Sequence, residues 1–403
     1  LDKDLPTATA TVTTPITGRL TLLFAVAVGI IVTNLFAPQT LVGMIGGSLG
    51  LSQSQQGLVA MAPLAGYAAG LLLLVPLADR LENRALVLRL LLIAIIAASL
   101  CSVAPNAPLL LVALVVLGLS CSAIQVLVPL AASMAPAAQR GRTIGNVMSG
   151  LMFGILLSRP MASLIADLYQ WRAFYLCNAT LMLLLWAALY RALPRRHPGN
   201  PQRYPALLLS LWELLREQPV LRQRALTAAL VMATFSLFWT TVALRLVRPP
   251  FQLDYKEVAL FALVGVTGAL ATPWFGRLGD RGGTRPGTVA SHLMVIAAFL
   301  IAARAGNGAL PFWPGLGLLA FSAVLLDVGV TGDQTLGRRV INLIEPDSVR
   351  GRINALFVGL FFVGGALGSA LSGLAWAHGG WSLTCLLGAG LALTALVAQA
   401  RQR

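Results

Sequence analysis

Apolar runs recur along the whole chain, separated by short polar or arginine-bearing breaks. They lie near 20–42, 56–78, 86–104, 109–133, 141–166 and 173–193, and again near 224–246, 257–279, 287–303, 311–336, 350–376 and 382–399. A helical run of roughly 20 residues, at 1.5 Å per residue, crosses about 30 Å of hydrocarbon. The pattern therefore predicts twelve membrane-spanning helices, six on each side of a gap at 194–223. Pro194, Pro198, Pro201 and Pro205 fill the start of that gap, and Leu207 to Arg216 reads as a short amphipathic helix on the membrane surface. Residues 1–18 are rich in Thr, Ala and Pro, carry no cleavable-signal pattern and read as a disordered tail. The expected organisation is a tail (1–18), a six-helix bundle (19–193), a linker (194–223) and a second six-helix bundle (224–403).

Composition turns the pattern into a solvent. The chain of 403 residues is 57% hydrophobic and 11% charged, with mean hydropathy +0.81. Soluble domains carry about 25% charge, so most of this surface faces lipid rather than water. Cys101, Cys121, Cys177 and Cys385 lie in or beside apolar runs without metal-ligand spacing and read as small core residues.

A net charge of +15 raises the question of nucleic acid, and the positions of the charges answer it. With the tail placed inside, the inner segments carry 23 of the 29 Lys and Arg residues. The outer side keeps 5, namely Arg172, Arg245, Arg248, Lys256 and Arg304, and Arg159 falls within a helix. Such asymmetry is the positive-inside signal. It predicts cytoplasmic termini in a cell membrane, with lipid rather than nucleic acid as the partner. Lys3 and Lys256 are the only lysines, which suggests an arginine-favouring, GC-rich bacterial genome.

The chain is also duplicated. Val75-Pro76-Leu77-Ala78-Asp79-Arg80-Leu81-Glu82-Asn83-Arg84 aligns without a gap with Gly276 to Arg285, sharing Leu77/Leu278, Asp79/Asp280, Arg80/Arg281 and Arg84/Arg285. Arg140-Gly141-Arg142 pairs with Arg350-Gly351-Arg352, and Trp171 with Trp381, at a constant offset of 210 that Pro136/Pro346 and Gly154/Gly364 keep. Two six-span copies of one orientation form a parallel repeat.

These residues resemble the major facilitator superfamily, most closely its twelve-helix drug:proton antiporter branch. That superfamily carries a Gly-x-Leu-x-Asp-Arg-x-Gly-x-Arg/Lys loop after helix 2, echoed after helix 8. The second copy here matches well, whereas the first has Val75 and Glu82 at the two glycine positions. The resemblance covers about residues 20–399. It implies an all-α membrane fold of two pseudo-symmetric bundles and secondary transport by alternating access, powered by the proton gradient and without a cofactor. It further implies export of a small amphipathic molecule or drug; a metabolite facilitator or proton-coupled uptake symporter is the alternative. A monomer is expected. An enzyme is not, because His197, His292 and His378 read as isolated and no nucleophile or metal cluster accompanies them.

By the same resemblance the repeated loops form a cytoplasmic latch of Asp79, Arg80, Arg84, Asp280, Arg281 and Arg285. Asp79 would face the start of helix 11 and Asp280 the start of helix 5, with Arg140, Arg142, Arg350 and Arg352 as candidate partners. Helices 1, 4, 7 and 10 line the cavity in this superfamily, which nominates Asn34, Gln39, Gln125, Ser236, Trp239, Thr240, Thr241 and Asp327. No acid occurs in helices 1, 4 or 7, and the antiporters' helix-4 arginine is missing from Ala113 to Gly118.

Only Arg159, Asp327 and Asp333 are ionisable within the hydrocarbon, each costing on the order of 2.5–3.5 kcal/mol to insert. Arg159 precedes Pro160, which leaves the Leu156 carbonyl without its donor. The guanidinium is expected either to satisfy that carbonyl or to serve substrate or coupling. Desolvation favours a neutral carboxyl, so the candidate for proton coupling is Asp327, roughly 24 Å into its helix. Asp333 reads as interfacial. Glycine stripes at Gly150/Gly154 and Gly364/Gly368, and Gly66 with Gly70, predict close helix packing compatible with a rocking interface.

Overall fold

The computed structural model describes residues 17–196, 203–344 and 347–400, whose regular structure is entirely helical. The expected tail lies almost wholly outside these residues. In the first half the crossings run as follows. The first is α1 (Gly18–Phe36) and α2 (Pro38–Leu49), interrupted at Ala37 because Pro38 has no N–H to continue the ladder. The second is α3 (Gln53–Leu73), which ends in a 3-10 turn at Val75–Asp79, and the third is α4 (Asn83–Val103). The fourth is α5 (Ala107–Ser120) with α6 (Ala123–Met134), and α7 (Arg140–Tyr169) and α8 (Trp171–Ala192) complete the half.

The linker helix α9 (Tyr204–Glu217) contains the expected amphipathic segment. It buries Leu207 and Leu211 while Leu209 and Trp212 stay exposed. Tyr204 donates to the Leu73 carbonyl at 2.7 Å, and Ser210 Oγ accepts from Arg352 at 2.8 Å, so α9 ties both halves on the arginine-rich face.

In the second half α10 (Pro219–Leu246) is followed by a crossing in two pieces, α11 (Tyr255–Ala262) and α12 (Val266–Asp280), joined by a 3-10 turn at Leu263–Gly265. Next come α13 (Thr284–Gly306), α14 (Phe312–Ile341) and α15 (Asp347–Ala400). Although α15 has 54 residues, it is two crossings, because Gly380 sits at φ 57° and ψ −141° and reverses the chain. Two approaches to α10 prove the reversal: Gly364 lies on the Ala229 carbonyl, while Gln223 donates to the Ala398 carbonyl at 2.5 Å. A straight helix would hold residues 364 and 398 about 50 Å apart. The twelve expected crossings are thus present, with α15 supplying the last two.

The glycine stripes pack inside each half rather than between halves. A methyl on Gly150 or Gly154 would sit 2.1 or 2.3 Å from the carbonyl oxygens of Ala25 and Gly29 on α1. On Gly364 or Gly368 it would sit 1.9 or 2.1 Å from those of Ala229 and Ala233 on α10. The repeat is therefore visible in packing: one stripe, one partner helix, twice. In lipid such backbone approach takes over the role that apolar burial plays in water.

The halves meet elsewhere. Gly57 of α3 lies against Ser369 and Gly373 of α15, and α7 packs on α11, with Lys256 and Asp167 3.8 Å apart at the face opposite the arginines. That pair is half open to solvent and adds little by itself. The backbone contact at Gly57 and Gly373 is what closes this face. Toward the arginine-rich face α7 and α12 part, and a cavity of about 440 Å³ lies between them.

Candidate functional site

The cavity's closed end is built where three crossings depart from ideal helix. The break before Pro38 leaves Gln39 at the start of α2; Pro160 interrupts the ladder of α7 next to Arg159; and the 3-10 turn at Leu263–Gly265 narrows the eighth crossing. Short 3-10 stretches inside helices often mark functional hinges. Here the turn brings Gly265 between two opposite charges. A methyl there would lie 3.1 Å from Asp327 Oδ2 and 3.5 Å from Arg159 Nη1, close enough that the carboxylate would have to give by a few tenths of an ångström.

Arg159, from the first half, is 3% exposed. Its Nε donates to Gln39 Oε1 at 2.9 Å, rather than turning back on the Leu156 carbonyl. Its guanidinium carbon stands 5.6 Å from the ring centre of Phe36, 5.0 Å from that of Phe235 and 4.3 Å from that of Trp239. A desolvated cation over aromatic faces gains about 2 kcal/mol, which offsets much of the cost of placing it here. Asp327, from the second half, accepts from Trp239 Nε1 at 2.9 Å through Oδ1. The two charges are neighbours across the inter-half boundary without forming a direct ion pair. Nη2 of Arg159 and Nε2 of Gln39 are buried without a hydrogen-bond partner.

Below this closed end the cavity is mostly apolar, lined by Met148, Leu151 and Ile155 on α7, Phe235 on α10, and Phe361 and Phe362 on α15. One polar stripe runs down it. Thr331, Gln334, Arg338 and Asn342 repeat at helical spacing below Asp327 and all face the lumen. Tyr67 and Gln125 stand opposite, with Gln125 Nε2 donating to the Tyr67 hydroxyl at 3.1 Å. An apolar chamber with a few converging polar groups suits an amphipathic organic solute.

The Major Facilitator Superfamily profile matches residues 22–307 and 225–400. The chain belongs to the Major Facilitator Superfamily. It is 35% identical over 378 residues to the putative uncharacterized transporter YgaY of Escherichia coli K12, covering 94% of each chain. It is 30% identical over 370 residues to the probable transporter SCO4007 of Streptomyces coelicolor, covering 90% of this chain and 83% of that one. Among solved structures, a D-xylose-proton symporter superposes with TM-score 0.73 at 15% identity, over 95% of this chain and 97% of that one. The nucleoside transporter NupG gives TM-score 0.75 at 15% identity, over 95% and 98%. These likenesses establish the fold, and with the family they make the chain a membrane transporter rather than an enzyme.

Within this superfamily chain, the residues nominated from sequence divide into those at the cavity and those elsewhere. Gln39, Gln125, Trp239, Asp327 and Arg159 are at the cavity or touch its charged end. Asn34 turns away, toward Asn178 at 3.4 Å and Met182 at 3.7 Å in the first half's core. Thr241 returns to the Leu237 carbonyl at 2.7 Å; Ser236 and Thr240 are buried with unpartnered hydroxyls, and Ser236 lies against Gly365. Of the residues not nominated, Tyr67 and the stripe on α14 are the main additions.

The latch loops are asymmetric. Asp79 faces the charge of Arg352 on α15, across the boundary between halves. Asp280 instead pairs with Arg339 of its own half, away from Arg140 and Arg142, because the cavity separates α7 from α12 on this face. Arg84 donates to the Tyr190 carbonyl at 2.6 Å and Arg140 to that of Ala135 at 3.4 Å. Arg80, Arg142, Arg281, Arg285 and Arg350 are exposed.

Two expectations are corrected by packing. Asp333 is not interfacial and His292 is not isolated: Nε2 of His292 lies 2.9 Å from Asp333 Oδ1, with the side chains 0% and 2% exposed. Both belong to the second half, on α13 and α14, and neither reaches the cavity. Arg224 stands nearby, bonded to Gln399 at 2.9 Å and Thr288 at 3.5 Å. His197 lies outside the described residues, and His378 bonds the Leu374 carbonyl of its own helix. Leaving a buried polar group without its hydrogen-bond partner costs about 1–3 kcal/mol, and more for a charged one. His292→Ala is therefore expected to lower the unfolding midpoint in detergent markedly, as read by intrinsic fluorescence. An unchanged midpoint would show that Asp333 needs no partner.

Proposed function

We propose that this chain is a proton-coupled secondary transporter of a small amphipathic organic molecule, working by alternating access, with Asp327 taking up and releasing the coupling proton. One observation carries the reading: Asp327 and Arg159 belong to opposite halves and meet at the closed end of a cavity open to the arginine-rich face. A charge whose neighbour sits on the other half changes surroundings whenever the halves rock. The arginine excess supports a cytoplasmic placement of the open face, and with it an inward-facing state with cytoplasmic termini in a bacterial inner membrane.

The resemblance to drug:proton antiporters supports export in exchange for protons. Proton-coupled uptake is the second reading, favoured by the identity of Asp327's charged neighbour. A proton on Asp327 cancels the negative charge beside Arg159, so proton loading and solute loading reinforce each other if the solute is attracted to Arg159. Solute flux in proteoliposomes under an imposed pH step tests both. Accumulation on the acidic side supports exchange, accumulation on the alkaline side supports cotransport, and flux indifferent to the step removes the proton from the mechanism.

A rocking cycle would also strengthen and weaken the attraction between Asp79 and Arg352. Asp79→Asn is expected to slow turnover several-fold while leaving solute affinity unchanged, measured as counterflow rate against a binding titration. Unaltered turnover would show that this attraction does not gate the cycle.

A further inference from the structure

We propose that the transported solute is an organic anion, a carboxylate on an apolar body, whose charged end is held by Arg159. The inference rests on the proton-coupled reading above and names the substrate class of that site.

Three features of the cavity lead to it. The first is the charge of its wall, where Arg159, Arg338 and Arg339 face a single acid, Asp327. Asp280 already holds Arg339, so Arg159 and Arg338 remain as two cations served by one carboxylate. The second is the state of the Arg159 guanidinium. Gln39 takes Nε, Asp327 Oδ2 lies on the Nη1 side of Gly265, and Nη2 has no acceptor although the side chain is 97% buried (3% exposed). A buried guanidinium N–H without an acceptor is costly, and a carboxylate oxygen is the acceptor its planar fork fits. Trp239 meanwhile occupies Asp327 Oδ1, which leaves the acid poorly placed to receive a solute ammonium.

The third feature is the path away from the charged end. Apolar side chains from α7, α10 and α15 surround it, and Arg338, eleven residues further along α14, stands roughly 16 Å nearer the mouth. Nε of Arg338 is likewise buried without a partner. An anion entering from the cytoplasmic mouth meets Arg338 first and Arg159 last, with its apolar body along the methionines and phenylalanines between. A cation would meet the same two arginines as repulsion.

The sign of coupling follows. Arg159 from α7, Trp239 from α10 and the backbone of the 3-10 turn at Gly265 are what face Asp327, and Arg159 is the charged one among them. An anion on Arg159 and an ionised Asp327 repel. The solute therefore loads best with Asp327 protonated, and anion and proton travel together.

A matched trio of probes tests this on the purified protein: 4-phenylbutyrate, 4-phenylbutyramide and 4-phenylbutylamine, titrated by thermal shift. The carboxylate is expected to bind about tenfold to a hundredfold more tightly than the amide, the span of one charge-assisted hydrogen bond, and the amine more weakly still. Arg159→Gln is expected to erase the preference and Arg159→Lys to restore part of it. Equal or absent shifts across the trio, or a larger shift with the amine, overturn the inference, and that comparison needs no variant to fold. The two readings fail separately. Amine flux driven by a pH step would sink the anion while leaving proton coupling intact. Phenylbutyrate that binds and moves but ignores the step would sink coupling and leave the anion site standing.

Discussion

Asp327→Asn is expected to bind solute and exchange it across proteoliposomes at near the parental rate, yet to accumulate none when a pH step is applied. One pH unit corresponds to about 1.4 kcal/mol, so a carrier moving one proton per solute supports roughly a tenfold gradient, and the variant supports none. The amide keeps the shape of the carboxyl and still accepts from Trp239 Nε1, so the charged end of the cavity stays assembled. What it loses is the exchangeable proton beside Arg159. Accumulation that persists in Asp327→Asn would move the proton site elsewhere, and no other acid lines the cavity among the described residues. The experiment thus separates a transporter that merely passes solute from one that drives it.

Gly364→Val is expected to destroy assembly, and Gly373→Val to shift conformation instead. At Gly364 the new Cβ would meet the Ala229 carbonyl oxygen at 1.9 Å and its carbon at 2.5 Å, both backbone atoms of a packed helix that cannot step aside. Overpacking of a well-filled contact costs about 1–3 kcal/mol and more when only backbone could yield. Loss of a monodisperse peak in detergent, or a collapse of the unfolding midpoint, is the readout. Gly317→Ala, with nothing within 4 Å of the added carbon, is the neutral control. Gly373 also makes a close backbone approach, 2.4 Å to the Ser54 carbonyl oxygen, but its partner lies in the other half. The halves are free to part there, so Gly373→Val is expected to fold and to favour the state open on the face opposite the arginines. Cysteine labelling from each side of the membrane reports which face is open. Equal damage from both substitutions would mean that the halves do not move as units.

Much of this arrangement is legible in residue order. Arg159 and Asp327 stand out by cost alone, since a charge in hydrocarbon needs a partner or a task. Their meeting is not legible, because it depends on how helices distant in sequence dock and on a 3-10 turn at Leu263–Gly265 that no proline announces. The stripe Thr331, Gln334, Arg338 and Asn342 is readable as one face of α14 from its spacing. That this face lines the lumen rather than a neighbouring helix is not. Asn34 shows the converse: a polar residue on the expected cavity helix that turns into the core to meet Asn178. His292 and Asp333 are 41 residues apart and share no motif, so only packing pairs them.

By itself the sequence determines the twelve crossings, their duplication and the gathering of the arginines at one end of them. Each of these is a local or additive property: hydrocarbon accepts a segment on its own hydropathy, and a repeat is visible without being folded. Tertiary structure alone decides which helix face meets which, that the glycine stripes close each half while Gly57 and Gly373 close the boundary, and that a cation and an acid share the cavity's end. Lipid is as apolar as leucine, so solvent does not choose the buried face of a membrane helix; fit between particular surfaces does, and fit exists only in three dimensions.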